Sequence, residues 1–136
     1  MNLFGKCAIL ATKKMADMSC NNPAEAWELS ISELSKSPNT QAKGCPRNAF
    51  LGLCEEGLIR GIESGKYANL RENKEYVLTA VKVLAQTSKP FTASQLWRHI
   101  GNEGKQEGQM DVVLSLWKND LIDKEKVKGE WNNGGH

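Results

Sequence analysis

The chain has 136 residues, 40% of them hydrophobic and 25% charged, which fits one ordinary domain or two very small ones sharing a core and excludes a disordered chain or two large domains. Eighteen basic and sixteen acidic side chains leave a net charge of +2, divided as eight against seven up to Ala68 and ten against nine beyond it, so bulk charge carries no polyelectrolyte signature. No apolar stretch approaches the roughly 20 residues that span a bilayer, and Cys7, Cys20, Cys45 and Cys54 have neither Cys-x-x-Cys nor zinc spacing.

The first apolar helical face is set by Cys7, Ala8, Ala11, Thr12 and Met15. The apolar run Cys7 to Ala11 is short and is followed by Lys13-Lys14, unlike a secretory signal, so the reading is a cytoplasmic protein with reduced thiols. Asn22-Pro23-Ala24-Glu25 then starts a second helix: an amide N-cap, proline at the first helical position and a glutamate placed to return a hydrogen bond. Trp27 follows. After a loop from Ser35 to Pro46, a third helix carries Phe50-Leu51-Gly52-Leu53-Cys54-Glu55-Glu56-Gly57-Leu58-Ile59. Gly57 stands where the helix turns left-handed at its end, letting Leu58 fold back on Leu53. Arg60 to Leu70, with Gly61 and Gly65, forms a hairpin or a linker, and Asn69 to Glu72 offers another cap.

The grammar then repeats. Tyr76, Val77, Ala80, Val81 and Leu84 reproduce the first apolar face more strongly. Thr92-Ala93-Ser94-Gln95 is a second capping box, Phe91 and Leu96 close a staple across it, and Trp97 lies at the offset that Trp27 has from its own cap. Beyond the loop Gly101 to Gly108, Val113-Leu114-Ser115-Leu116-Trp117-Lys118-Asn119-Asp120-Leu121-Ile122 aligns without a gap to residues 50–59. Asp120 takes the place of Gly57, since aspartate tolerates the left-handed region better than most residues. From Ile122 to Trp131, lysines 124, 126 and 128 alternate with Glu125, Val127 and Glu130, a pattern that suits either a short strand pair about Gly129 or a frayed helix.

These matches predict a mainly α protein: two tandem helix-turn-helix or winged-helix-like three-helix units, residues 1–68 and 69–131, packed as one compact body and followed by a tail at 132–136. The stretch from Lys43-Gly44-Cys45-Pro46-Arg47-Asn48 through Leu58-Ile59, with Gln109-Met110-Asp111-Val112-Val113-Leu114 as a second patch, resembles the signature of a family of small bacterial proteins with a domain of unknown function. That resemblance extends over most of the chain. It implies a bacterial cytoplasmic setting and brings no activity with it.

Three functional readings follow from the residues. Nucleic-acid binding would use the start of each third helix, with Lys43, Arg47 and Asn48 in the first unit and Lys105, Gln106, Gln109 and Lys118 in the second. Glu55-Glu56 and Asp111 place negative charge on the same helices and oppose that use. A protein-interaction or scaffold module would use grooves between helices, with Trp117 and Trp131 as exposed anchors while Trp27 and Trp97 fill the core. Thiol chemistry would fall on Cys45, before Pro46 at a helix start and beside Lys43 and Arg47, but neither His99 nor His136 is spaced to serve it as a base. Adjacent carboxylates such as Glu55-Glu56 diverge on a helix, and no phosphate-loop glycine pattern is present. The sequence therefore points to a protein that binds a nucleic acid or another protein, without cofactor, metal or catalysis.

Overall fold

The computed structural model describes residues 2–67 and 71–133, of which 71, 72 and 130–133 by backbone alone. The described chain is helical, with α1 at Leu3–Ala16, α2 at Pro23–Leu34, α3 at Pro38–Gln41, α4 at Gly44–Glu55, α5 at Arg71–Gln86, α6 at Ala93–His99, α7 at Gln109–Lys118 and α8 at Lys124–Asn133. Among the described residues there are no strands, only a single antiparallel bridge between Ile59 and Ile122, and no helix is long and apolar enough to cross a membrane.

The starts of α1, α2, α3 and α6 follow from a short polar side chain. Asn2 Oδ1 accepts from Phe4 N at 2.7 Å and opens α1. Asn22 Oδ1 accepts from Glu25 N at 2.9 Å and opens α2, with Pro23 at the first position. Thr92 and Gln95 form the full reciprocal box at α6, with bonds of 3.1 and 3.0 Å. The expected loop at 35–46 holds the one-turn helix α3, which Ser37 caps through Thr40 N.

The ends of α4 and α7 match bond for bond. Gly57 has φ +69°, with Leu58 N donating to Leu53 O and Gly57 N to Cys54 O. Asp120 has φ +58°, with Leu121 N donating to Leu116 O and Asp120 N to Trp117 O. This six-to-one, five-to-two pattern satisfies the last carbonyls and turns the chain sharply. The two exits then pair with each other: Arg60 N donates to Leu121 O and Asp123 N to Leu58 O, both at 2.8 Å.

One continuous core joins the halves. Helix α1 packs along α2 and α7, and α5 packs along α4, α7 and α8. The two main crossings use small residues at matching places. At Gly5 of α1, an added Cβ would stand 1.9 Å from Ser115 Oγ of α7, and at Gly52 of α4 it would stand 3.0 Å from Lys74 Cα of α5. Position 52 aligns with 115, so each half lends its first helix to the third helix of the other. Trp27 is buried against Phe50, with ring centroids 5.5 Å apart. Trp97 is buried edge-on to Tyr76 at 4.8 Å, and its Nε1–H donates to Glu103 O.

Two expectations about loops resolve differently. Residues 60–67 form no hairpin; they fold back on α4, with Tyr67 N donating to Glu55 Oε1 at 2.9 Å and Gly65 N to Glu55 O. The proposed cap at Asn69 to Glu72 lies outside the residues described by side chain. The alternating segment after Ile122 is helix α8 rather than a strand pair. Asp123 Oδ1 accepts from Lys126 N at 3.1 Å, and Val127 is 1% exposed, so one cap and one buried anchor select the helix over the wing.

Candidate nucleic-acid interface

The starts of the third helices do not assemble into a reading surface. Asn48 is buried, with Nδ2 donating to Gly44 O at 2.9 Å, and Gln109 is buried, with Nε2 donating to Asn73 Oδ1 at 3.0 Å and Oε1 accepting from Glu107 N. Neither side chain presents itself to solvent. Lys43 is exposed at the α4 N-cap, and Arg47 meets Glu28 of α2 at 3.5 Å. Helices α4 and α7 are central: Asn48 to Cys54 and Val112 to Leu116 are buried without interruption. A recognition helix needs an exposed face to enter a groove, and these have none to spare. Cys45 is half-buried in the first turn of α4. His99 meets Phe91 edge-on, at 5.1 Å between centroids. The other thiols are shielded: burial pushes Cys7 up to about 12 and Cys54 well above its ordinary range, while at Cys20 burial first and the Glu25 carboxylate second act in the same direction.

A further group of basic side chains lines grooves around the connector from α5 to α6. Three open grooves border residues 84–93, of about 350, 330 and 380 Å³. Lys89, Arg98 and His99 line the first; Lys118 and Asp111 line the second; Lys124 and Lys128 line the third. The first two share Phe91, and the third adjoins them in sequence through Ser88–Lys89 and Trp117–Lys118; we refer to the three grooves together as the trench. Among the described residues Asp111 is the only carboxylate lining any of them, and its Oδ2 is engaged by Gln106 Nε2 at 2.8 Å.

Local folding puts these side chains there. The Thr92–Gln95 box fixes where α6 begins, and its seven residues end on Arg98-His99, which face solvent while Leu96 and Trp97 point inward. Lys89 Nζ stands 5.6 Å from the centre of the Phe91 ring. Lys124 Nζ stands 4.8 Å over the half-buried Trp117 ring and 3.7 Å from Asp120. Lys89, Arg98, His99, Lys118 and Lys128 have no ion-pair partner among the described residues. Lys14 and Lys74, by contrast, are committed to carboxylates: Lys14 to Glu33 at 2.7 Å, and Lys74 to both Glu55 and Glu56 at 2.7 Å. At Lys74 burial opposes the charge, but the two carboxylate hydrogen bonds outweigh it and raise the pKa.

Of the residues expected from the sequence, the trench brings together Lys118 and Trp117. Lys105 is exposed in the loop before α7 and lines none of the three grooves, and Trp131 lies outside the residues described by side chain. Lys89, Arg98 and His99 escaped sequence reasoning, although a signal was present. The 27 residues from Tyr76 to Asn102 contain no Asp or Glu, a run that charge balances taken over whole halves average away.

The chain belongs to a family of unknown function, DUF6979, whose profile matches residues 1–123. Helix α8 begins at Lys124, immediately after the matched region. No curated protein and no solved structure matches the chain.

Proposed function

We propose that this protein binds nucleic acid, without chemistry of its own, along the trench that borders the α5–α6 connector. The observation that carries this reading is the lining of the grooves about that connector: among the described residues they present Lys89, Arg98, Lys118, Lys124 and Lys128, beside His99, against the carboxylate of Asp111, in a chain of near-zero net charge. Such a surface attracts a phosphate backbone by releasing its counterions, whatever the overall charge. The partner meets α6 and its flanks, since α4 and α7 are committed to the core.

The same reading takes the two halves as copies of one helix-turn-helix-like unit. Matched caps at Gly57 and Asp120, reciprocal hydrogen bonds across Ile59 and Ile122, and equivalent crossings at Gly52 and Ser115 support duplication. It also places the protein in a reducing cytoplasm, which suits its four free thiols. The protein-docking alternative draws less support: the large hydrophobic side chains that stand exposed among the described residues are Met18 and Leu29, and Trp117 is half-buried beneath Lys124.

Anisotropy titrations of labelled oligonucleotides across a salt series test the reading. Four or five phosphate contacts predict a slope of log affinity against log salt of about −3 to −4. Absence of binding at about 50 mM salt, or binding indifferent to salt, would remove it.

A further inference from the structure

Resting on that reading, we infer that the trench takes a single strand and not a duplex, with Trp117 and His99 as the rings on which bases stack. A duplex offers base edges at the floor of its grooves, and proteins read them with a helix or ribbon that projects into the major groove. Here the basic surface is concave: three shallow grooves flank a connector, and the exposed side chains at the end of α6 rim a groove instead of projecting as a helix. A single strand is the form of nucleic acid that can lie in such a surface and turn the faces of its bases toward side-chain rings.

Two of the grooves set a ring beside cations, as that mode requires. His99 is exposed and braced edge-on by the buried Phe91, with Lys89 and Arg98 lining the same groove. In the third groove Trp117 is half-buried, with Lys124 over its ring and Lys128 lining the same groove. Lys124 is held there by the indole and by Asp120 at 3.7 Å, two weak contacts on a long, flexible stem. An arriving base displaces the ammonium from the indole, and the ammonium moves to a phosphate beside it.

Intrinsic fluorescence gives the test, because Trp27 and Trp97 are buried and a Trp131→Phe background leaves Trp117 as the responsive indole among the described side chains. The probes are an oligothymidylate of about ten nucleotides and a mixed-sequence duplex of the same length. The expected result is that the single strand binds at least tenfold more tightly than the duplex and quenches the fluorescence. His99→Ala, at an exposed position that spares the fold, and Trp117→Leu should each weaken single-strand binding about tenfold and leave duplex binding within twofold. Equal affinity for both probes without quenching would overturn the single-strand inference while leaving a phosphate-binding trench in place. Loss of both bindings at every salt concentration would overturn that broader reading as well.

Discussion

Helices α2 and α6 begin alike and end differently. Both open on a polar cap and place a buried tryptophan at the same offset, yet α2 runs for 12 residues with Glu25, Glu28 and Glu33 on it, while α6 runs for 7 with no carboxylate and ends on Arg98-His99. The glutamates of α2 neutralise their neighbours, Glu33 taking Lys14 and Glu28 meeting Arg47. Around α6 the cations find no such partners among the described residues. The same local grammar thus positions two different surfaces: one has charge satisfied within the fold, and the other holds the cations that the proposed function assigns to a polyanion.

Removing the tryptophans should sharpen the contrast most. Trp27→Ala deletes a ring that is 1% exposed and packed on Phe50, and should cost about 4 kcal/mol in denaturant unfolding. Trp97→Ala should cost about 3 kcal/mol and additionally free the loop at 101–108, because Nε1–H no longer holds Glu103 O, so amide exchange there should rise while Trp27→Ala leaves it unchanged relative to the rest of the chain. The caps come next. Thr92→Ala removes the arm of the box made by its hydroxyl, as Asn22→Ala removes the single cap bond of α2, and each should cost about 1 kcal/mol; Thr92→Ala with Gln95→Ala removes both arms and should cost about 1 to 2 kcal/mol. A double variant no less stable than Thr92→Ala alone would show that the second arm of the α6 box contributes nothing.

A smaller effect separates the two regions by pH. Cys7 of α1 donates to Trp27 O, and burial raises its thiol from 9.0 to about 12. A folded-state value above the unfolded one means that this contribution is complete below pH 9 and is lost as pH rises toward 12. The α1–α2 contact should therefore loosen in alkali before α6 does, and Cys7→Ala should flatten the alkaline decline measured by chemical denaturation as pH rises from 9.0 toward about 12. An unchanged decline would mean that other groups carry it.

Local features were legible in the sequence because they depend on neighbours in the chain. The Thr92 box, the proline start of α2, the left-handed residues Gly57 and Asp120 and the apolar face of α5 all appear where side-chain spacing puts them. What crosses the molecule was not legible. Nothing near Gly5 tells that its partner is Ser115, and nothing near Arg47 tells that Glu28 stands opposite. Asn48 and Gln109 looked like polar residues at helix starts, but the interlocking of α4 and α7 with α5 buries both. The trench was half visible: its acid-free run is linear, whereas the approach of Lys118, Lys124 and Lys128 depends on α7 and α8 folding beside it.

The direct test of the contrast is a matched charge reversal on the two faces. Lys89→Glu with Arg98→Glu should reduce oligonucleotide affinity at least thirtyfold at about 50 mM salt and flatten the salt slope by about two contacts, whereas Lys43→Glu with Arg47→Glu, the same change in net charge, should reduce affinity less than threefold. Equal losses from both pairs would mean that bulk charge alone governs association and that the trench has no special role.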